Sequence, residues 1–152
     1  MRKRCIRKVW NLTNPISLAI EGACVMSQYK LNQIELLELQ SIEAFRSGNA
    51  GLHDWRAIAD LLNVAEEMAN AGIGPEVLEV CERVQETLIE AKERFERTGK
   101  MGTTAIGLNL FRALAEYHSL QRTSVDLSTY EKHIRKVANR IRSSHPSVTV
   151  LL

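Results

Sequence analysis

Cysteine is scarce in this chain and odd in number. Cys5, Cys24 and Cys81 are far apart, and no C-x-x-C pair occurs, so zinc knuckles and dithiol redox chemistry have no ligands to start from. Three prolines and eight glycines leave few breaks, and two Trp, three Tyr and three Phe leave a core to be filled by Leu, Ile, Val and Ala. That composition suits helices packed on helices. No apolar run approaches the roughly 18 residues of a membrane span. The basic start followed by "ISLAI" has the order of a signal peptide, but that stretch is only five residues long and meets Glu21. With an odd cysteine count, a reducing compartment, the cytoplasm, is expected.

Catalytic motifs are missing as well. No G-x-S-x-G elbow is present. His53, His118, His133 and His145 include no i, i+4 pair and no H-E-x-x-H, and no Glu stands three residues before a His as di-iron bundles require. "GKMGTT" is a fragment of a phosphate loop, yet Arg94 stands where the first glycine belongs and Met101 replaces Ser/Thr. The reading there is a helix–helix connection. No cofactor and no metal site are expected, and the chain reads as a non-enzyme. Cys81 falls on a core stripe and reads as inert, and His118 reads as a helix-surface or boundary residue.

What is present is helical periodicity in a chain whose 152 residues suffice for one domain, burying about 70% of the surface its unfolded chain exposes. Asn14-Pro15 is a start signal for "PISLAIEGACVM". "YKLNQIELLELQSIEAFRSG" places Leu31, Ile34, Leu37, Ile42 and Phe45 near helical spacing and stops at Gly48. Trp55, Ile58, Leu62, Ala65 and Ala69 form the next stripe, broken by "GIGP". In "PEVLEVCERVQETLIEAKERFERTG", Val77, Val84 and Ala91 form one seven-residue series, and Cys81, Leu88 and Phe95 the other. Short loops favour an antiparallel neighbour in the same bundle over an intermolecular seam. "RTGKMGTT" is a loop. In the helix after it, Ile106, Leu110, Leu114 and Tyr117 share the expected inner face. A capping box, Ser128 to Glu131, opens the last helix, where Tyr130, Ile134, Val137 and Ile141 face inward. The fold class is all-α: a single bundle of about five or six helices, residues 1–13 forming a basic arm and 146–152 a short apolar tail.

Charge is unevenly spread. Residues 1–50 carry seven Lys/Arg against four Asp/Glu, residues 51–100 six against eleven, and residues 101–152 seven against three, under a net charge of +2. The acidic middle concentrates on one helix. Glu79, Glu82, Glu86, Glu90 and Glu93 form a candidate face for a basic partner, although Arg83, Lys92, Arg94 and Arg97 stand at pairing distance along the helix. Lys132, Arg135, Lys136, Arg140 and Arg142 share an arc of roughly 160°. With Arg2, Lys3, Arg4, Arg7 and Lys8 they are candidates for phosphate contacts, and Trp10 for stacking on a base. The connection "SLQRTSVDLS" is long for a helix-turn-helix.

The phrases "IRKVWNLTNPISLAIEGA", "DWRAIADLLNVAE", "GIGPE", "RTGKMGTT" and "YHSLQR" resemble those of a group of short, largely uncharacterised proteins of phages and prophages of Proteobacteria. The resemblance runs over most of the chain and carries no catalytic motif. It implies an accessory protein that binds and modulates or inhibits a host nucleic-acid-handling or defence complex, as an anti-CRISPR does. Its partner is expected to be a host protein or protein–nucleic acid complex, met through the acidic face, with no membrane involved. Direct DNA or RNA binding through the two basic clusters is the alternative. Self-association is left open.

Overall fold

The computed structural model describes residues 27–143. Five α-helices follow one another with no β-strand among the described residues: α1 (Gln28–Ser47), α2 (Leu52–Asn70), α3 (Leu78–Thr98), α4 (Ala105–Thr123) and α5 (Leu127–Ser143). A single 3-10 turn, Pro75–Val77, leads into α3. The bundle is therefore all-α, as the periodicity predicts. The arm, the helix expected after Asn14-Pro15 and the tail lie outside the described residues.

Local chemistry sets the helix ends. Ser27 Oγ accepts the Lys30 N–H at the start of α1. Gly48 closes α1 at φ 78°, a left-handed geometry that a side chain would strain, and lets Asn49 N–H return to the Ala44 carbonyl. The Gly51 N–H is accepted by Asp54 Oδ2 at the start of α2, and Thr104 Oγ1 caps α4 through Gly107 N–H. The last helix begins earlier than the Ser128 capping box predicts. Asp126 Oδ1 accepts the Thr129 N–H at 2.7 Å, so the shorter, charged acceptor upstream takes the cap and Ser128 lies inside the helix.

Helices α1 to α4 pack in sequence, α1 closes the ring against α4, and α2 meets α4 across the centre; α5 lies on α2. The core holds Trp55, Ile58 and Ala65 of α2, Cys81, Val84 and Leu88 of α3, and Phe111 and Leu114 of α4. Phe45 and Phe111 meet edge to face, centroids 5.1 Å apart. Trp55 fixes α2 to α3 twice: its indole N–H donates to the Leu88 carbonyl at 2.8 Å, and Lys92 Nζ stands 5.7 Å from its ring. Gly107 lets α4 close on α3, because a Cβ there would meet Thr87 Cγ2 at 2.7 Å. A second cluster, Leu31, Met68 and Tyr130, joins α1, α2 and the start of α5.

The predicted stripes of α2 and α3 are buried as read, with Phe95 half-buried against the same core. Four inward assignments are corrected. Leu37 of α1 and Ile134 of α5 are exposed. On α4, Ile106 and Tyr117 are exposed, and the buried face is Gly107, Phe111, Leu114, Ala115, His118, Gln121 and Arg122. The helix is rotated because its buried end is polar, which hydropathy alone reads as surface.

Trp55→Ala is expected to destabilise the protein by about 3–5 kcal/mol through lost burial and the cavity left behind. Trp55→Phe is expected to cost less but to loosen α2 from α3. Urea titrations followed by far-UV circular dichroism measure both.

Candidate functional site

Helix α3 has a sharply divided surface. Its buried residues, Cys81, Val84, Thr87, Leu88 and Ala91, occupy one side. At 100° per residue the opposite ridge carries Glu79, Glu82, Glu86, Glu90 and Glu93, all exposed, over about 21 Å of helix. The neighbouring cations make no close ion pair with it. Lys92 is committed to the Trp55 ring, and the Arg94 guanidinium lies beside Gly102 in the loop before α4. Among the described residues, no ion pair within 4.0 Å involves any of the five carboxylates. The pairing expected at helical spacing is absent, and the predicted acidic face stands as one open ridge.

The basic face of α5 is different. Glu67, on α2 and nearly buried, meets two of its cations and the buried His133: Arg140 binds it directly, Lys136 Nζ stands 3.6 Å away and His133 Nδ1 3.7 Å away. Arg135 pairs with Glu131 at 3.5 Å on the exposed surface, a bond that water and salt weaken. Lys132 and Arg142 remain exposed. The face is brought together on one helix, and two of its five cations, Lys136 and Arg140, reach Glu67 while staying exposed. Arg2, Lys3, Arg4, Arg7, Lys8 and Trp10 lie outside the described residues.

A third feature was missed from sequence. Arg122 is fully buried and grips Glu38 of α1 with two nitrogens, at 2.5 and 2.9 Å. Burial opposes the guanidinium charge; the Glu38 hydrogen bonds and charge outweigh it and hold Arg122 protonated. Beside it a chain of hydrogen bonds crosses the bundle. The Gln121 amide nitrogen donates to the carbonyls of Ala65 and Ile73, at 3.1 and 2.8 Å, which leaves its oxygen facing His118 Nδ1 at 2.8 Å. His118 therefore carries its proton on Nδ1, and Nε2 accepts from the Tyr130 hydroxyl at 3.3 Å. Burial pushes the His118 pKa down to about 4, so the ring is neutral. His118 is thus a core residue, not the boundary residue expected. A helical signal did exist, since Phe111, Leu114, His118, Gln121 and Arg122 share one face, but three of the five are polar.

Two depressions flank this knot and share Glu38 as a wall. A groove of about 420 Å³ runs between α2 and α5, with Asp60, Leu61 and Val64 facing Ile134, Val137 and Ile141, and with His118 and Tyr130 at one end. A cleft of about 500 Å³ lies between α1 and α4, lined by Glu35, Leu39, Arg112, Glu116, Ser119 and Leu120. Both His118 nitrogens are bonded, burial pushes the Cys81 thiol up to about 12, and the buried His133 Nδ1 has no hydrogen-bond partner. Among the described residues, no group of three or more His, Cys, Asp or Glu could hold a metal ion, and no helix is long and apolar enough to cross a membrane.

No protein family, curated protein or solved structure matches the chain.

His118 ties stability to pH. It is neutral when folded and titrates near 6.5 when unfolded, so its contribution is complete above that value and is lost as pH falls toward 4. Between pH 7 and pH 5 it is expected to remove about 2 kcal/mol. Urea titrations at the two pH values measure the loss, and in His118→Phe the difference is expected to shrink by that amount.

Proposed function

We propose that this chain is a non-enzymatic binding protein that presents the α3 ridge to a basic surface of a partner protein. The observation that carries the reading is the ridge itself: Glu79, Glu82, Glu86, Glu90 and Glu93 aligned, exposed and unneutralised in a protein whose net charge is +2. A straight row of carboxylates matches a groove that otherwise takes a nucleic-acid backbone, and it speeds association by complementary charge. The partner class follows from that match and from the resemblance to phage accessory proteins: a nucleic-acid-handling or defence complex of a bacterial host, modulated or inhibited by occupation of its basic groove. The hydrogen-bonded state of His118 and the raised thiol pKa of Cys81 support a role without chemistry.

Direct nucleic-acid binding is the second reading, favoured by the exposed cations Lys132, Arg135 and Arg142. It is the weaker one, because Lys136 and Arg140 of the same face converge on Glu67.

The test compares wild-type and Glu82→Lys/Glu86→Lys/Glu90→Lys baits in one nuclease-treated bacterial lysate. A basic, nucleic-acid-handling protein is expected on the wild-type bait, released by salt, with association to the variant slowed about tenfold or more. Captured partners indifferent to the charge reversal would overturn the reading. Anisotropy with labelled DNA and RNA from about 50 to 300 mM salt tests the alternative; tight binding whose log affinity falls linearly with log salt would put it first.

A further inference from the structure

Tyr130, Ile134, Val137 and Ile141 form one stripe of α5, as helical spacing predicts, yet the bundle buries it unevenly. Tyr130 and Val137 are buried, Ile141 is half-buried and Ile134 is 39% exposed. The stripe is one wall of the groove of about 420 Å³, and Leu61 and Val64 of α2 face it. No Lys or Arg lines this groove. Its charged groups are two acids: Glu38, already held by Arg122, and Asp60, which is exposed at the surface. A groove of this make-up fits an apolar occupant without charge, since a buried charge would meet no partner there.

We infer that residues 146–152 of the same chain are that occupant. Place, reach and chemistry agree. Helix α5 ends at Ser143, two residues after Ile141, so the chain that follows leaves from one end of the groove. Tyr130, at the other end, is eleven residues before Ile141, roughly 16 Å along the helix. Residues 147–152 in extended form span roughly 20 Å, enough to run back along the whole stripe. Pro146 opposes continuation of α5 and favours extended backbone at the residue before it, which suits a reversal at that point. The sequence "PSVTVLL" carries no charged side chain, and its β-branched residues favour an extended form. Extended backbone sends Val148, Val150 and Leu152 to one side, onto Ile141, Val137 and Ile134, with Thr149 at the rim. Because the site is a groove and not a closed cavity, the backbone of the segment keeps its polar groups in water. A tether of two residues, Ser144 and His145, holds the segment at a local concentration on the order of millimolar, so modest apolar contact suffices.

The test is methyl NMR of the full chain with labelled Ile, Leu and Val. Nuclear Overhauser contacts from Val148, Val150 and Leu152 to Ile134, Val137 and Ile141 are expected. Val150→Asp is expected to abolish them and to speed amide hydrogen exchange in α5 about tenfold or more. Thr149→Asp is expected to change neither. Wild type without those contacts would overturn the proposal, whether or not Val150→Asp folds, and so would equal effects of the two substitutions. Contacts found only between differently labelled copies would put another molecule's segment in the groove and overturn it as well.

Discussion

A buried guanidinium cannot stand alone. Arg122 has no solvent exposure, and taking its charge out of water costs several kcal/mol before any partner is found. Glu38 supplies the counter-charge with two hydrogen bonds and in doing so fixes α1 against α4. The next residues of α4 extend the same requirement outward. Gln121 holds α2 and the turn at Ile73, and His118 holds Tyr130 at the head of α5. Four helices are therefore registered by one polar knot rather than by apolar contact alone. Such a knot adds little net stability, because the Coulomb gain repays the desolvation only when geometry and hydrogen bonds are complete. The pairing also constrains rotation: an α4 turned to bury Ile106 and Leu120 would leave Arg122 and Glu38 without each other.

The charge pattern outside the core follows a similar logic of pairing. On α5 the cations are met from below by Glu67, a nearly buried carboxylate that offsets part of the helix's charge and anchors it to α2. On α3 nothing plays that part. The helix takes favourable interactions from its own ends, with Glu79 in the first turn and Arg97 in the last, but its ridge is left to solvent. Five like charges at neighbouring positions repel one another, and helix pairs of that kind are mildly destabilising. A chain with twenty Lys and Arg to distribute has nonetheless kept that row open, as expected of a surface that meets its counter-charges on another molecule.

The fold was legible wherever apolarity and burial coincide. Trp55, Ile58, Leu62, Ala65 and Ala69 on α2, Val77 in the turn before α3, and Cys81, Val84, Leu88 and Ala91 on α3 read correctly because their buried faces are mostly apolar, Glu67 and Thr87 being the polar exceptions. Reading failed on α4, where the buried face ends in His118, Gln121 and Arg122 and the exposed one carries Ile106 and Leu120. The pairing that makes Arg122 tolerable inside comes from Glu38, 84 residues away, and no local pattern announces it. The acidic ridge was legible as angles on one helix. Its lack of neutralising partners was not, because it depends on where Lys92 and Arg94 go, and both turn to the bundle instead of along α3. Nor could spacing show that Glu67 of α2 would take up Lys136 and Arg140.

These failures bear on function. The residue types that most often carry chemistry are spent here on structure: His118 on a relay of hydrogen bonds, Tyr130 on that relay, Cys81 in the core, Arg122 on Glu38. Groups held that way exchange protons reluctantly near neutral pH, as the depressed imidazole and the raised thiol both show. Inside, Arg122 Nε and His133 Nδ1 lack a hydrogen bond; on the surface, the groups left open are of two kinds. The α3 ridge is charged and suits a partner of opposite sign, reached quickly and released by salt. The other kind is apolar: Ile106, Tyr117 and Leu120 of α4 stand exposed. The largest stretch of charge without a close partner is therefore the α3 ridge, and the proposed binding role rests on it.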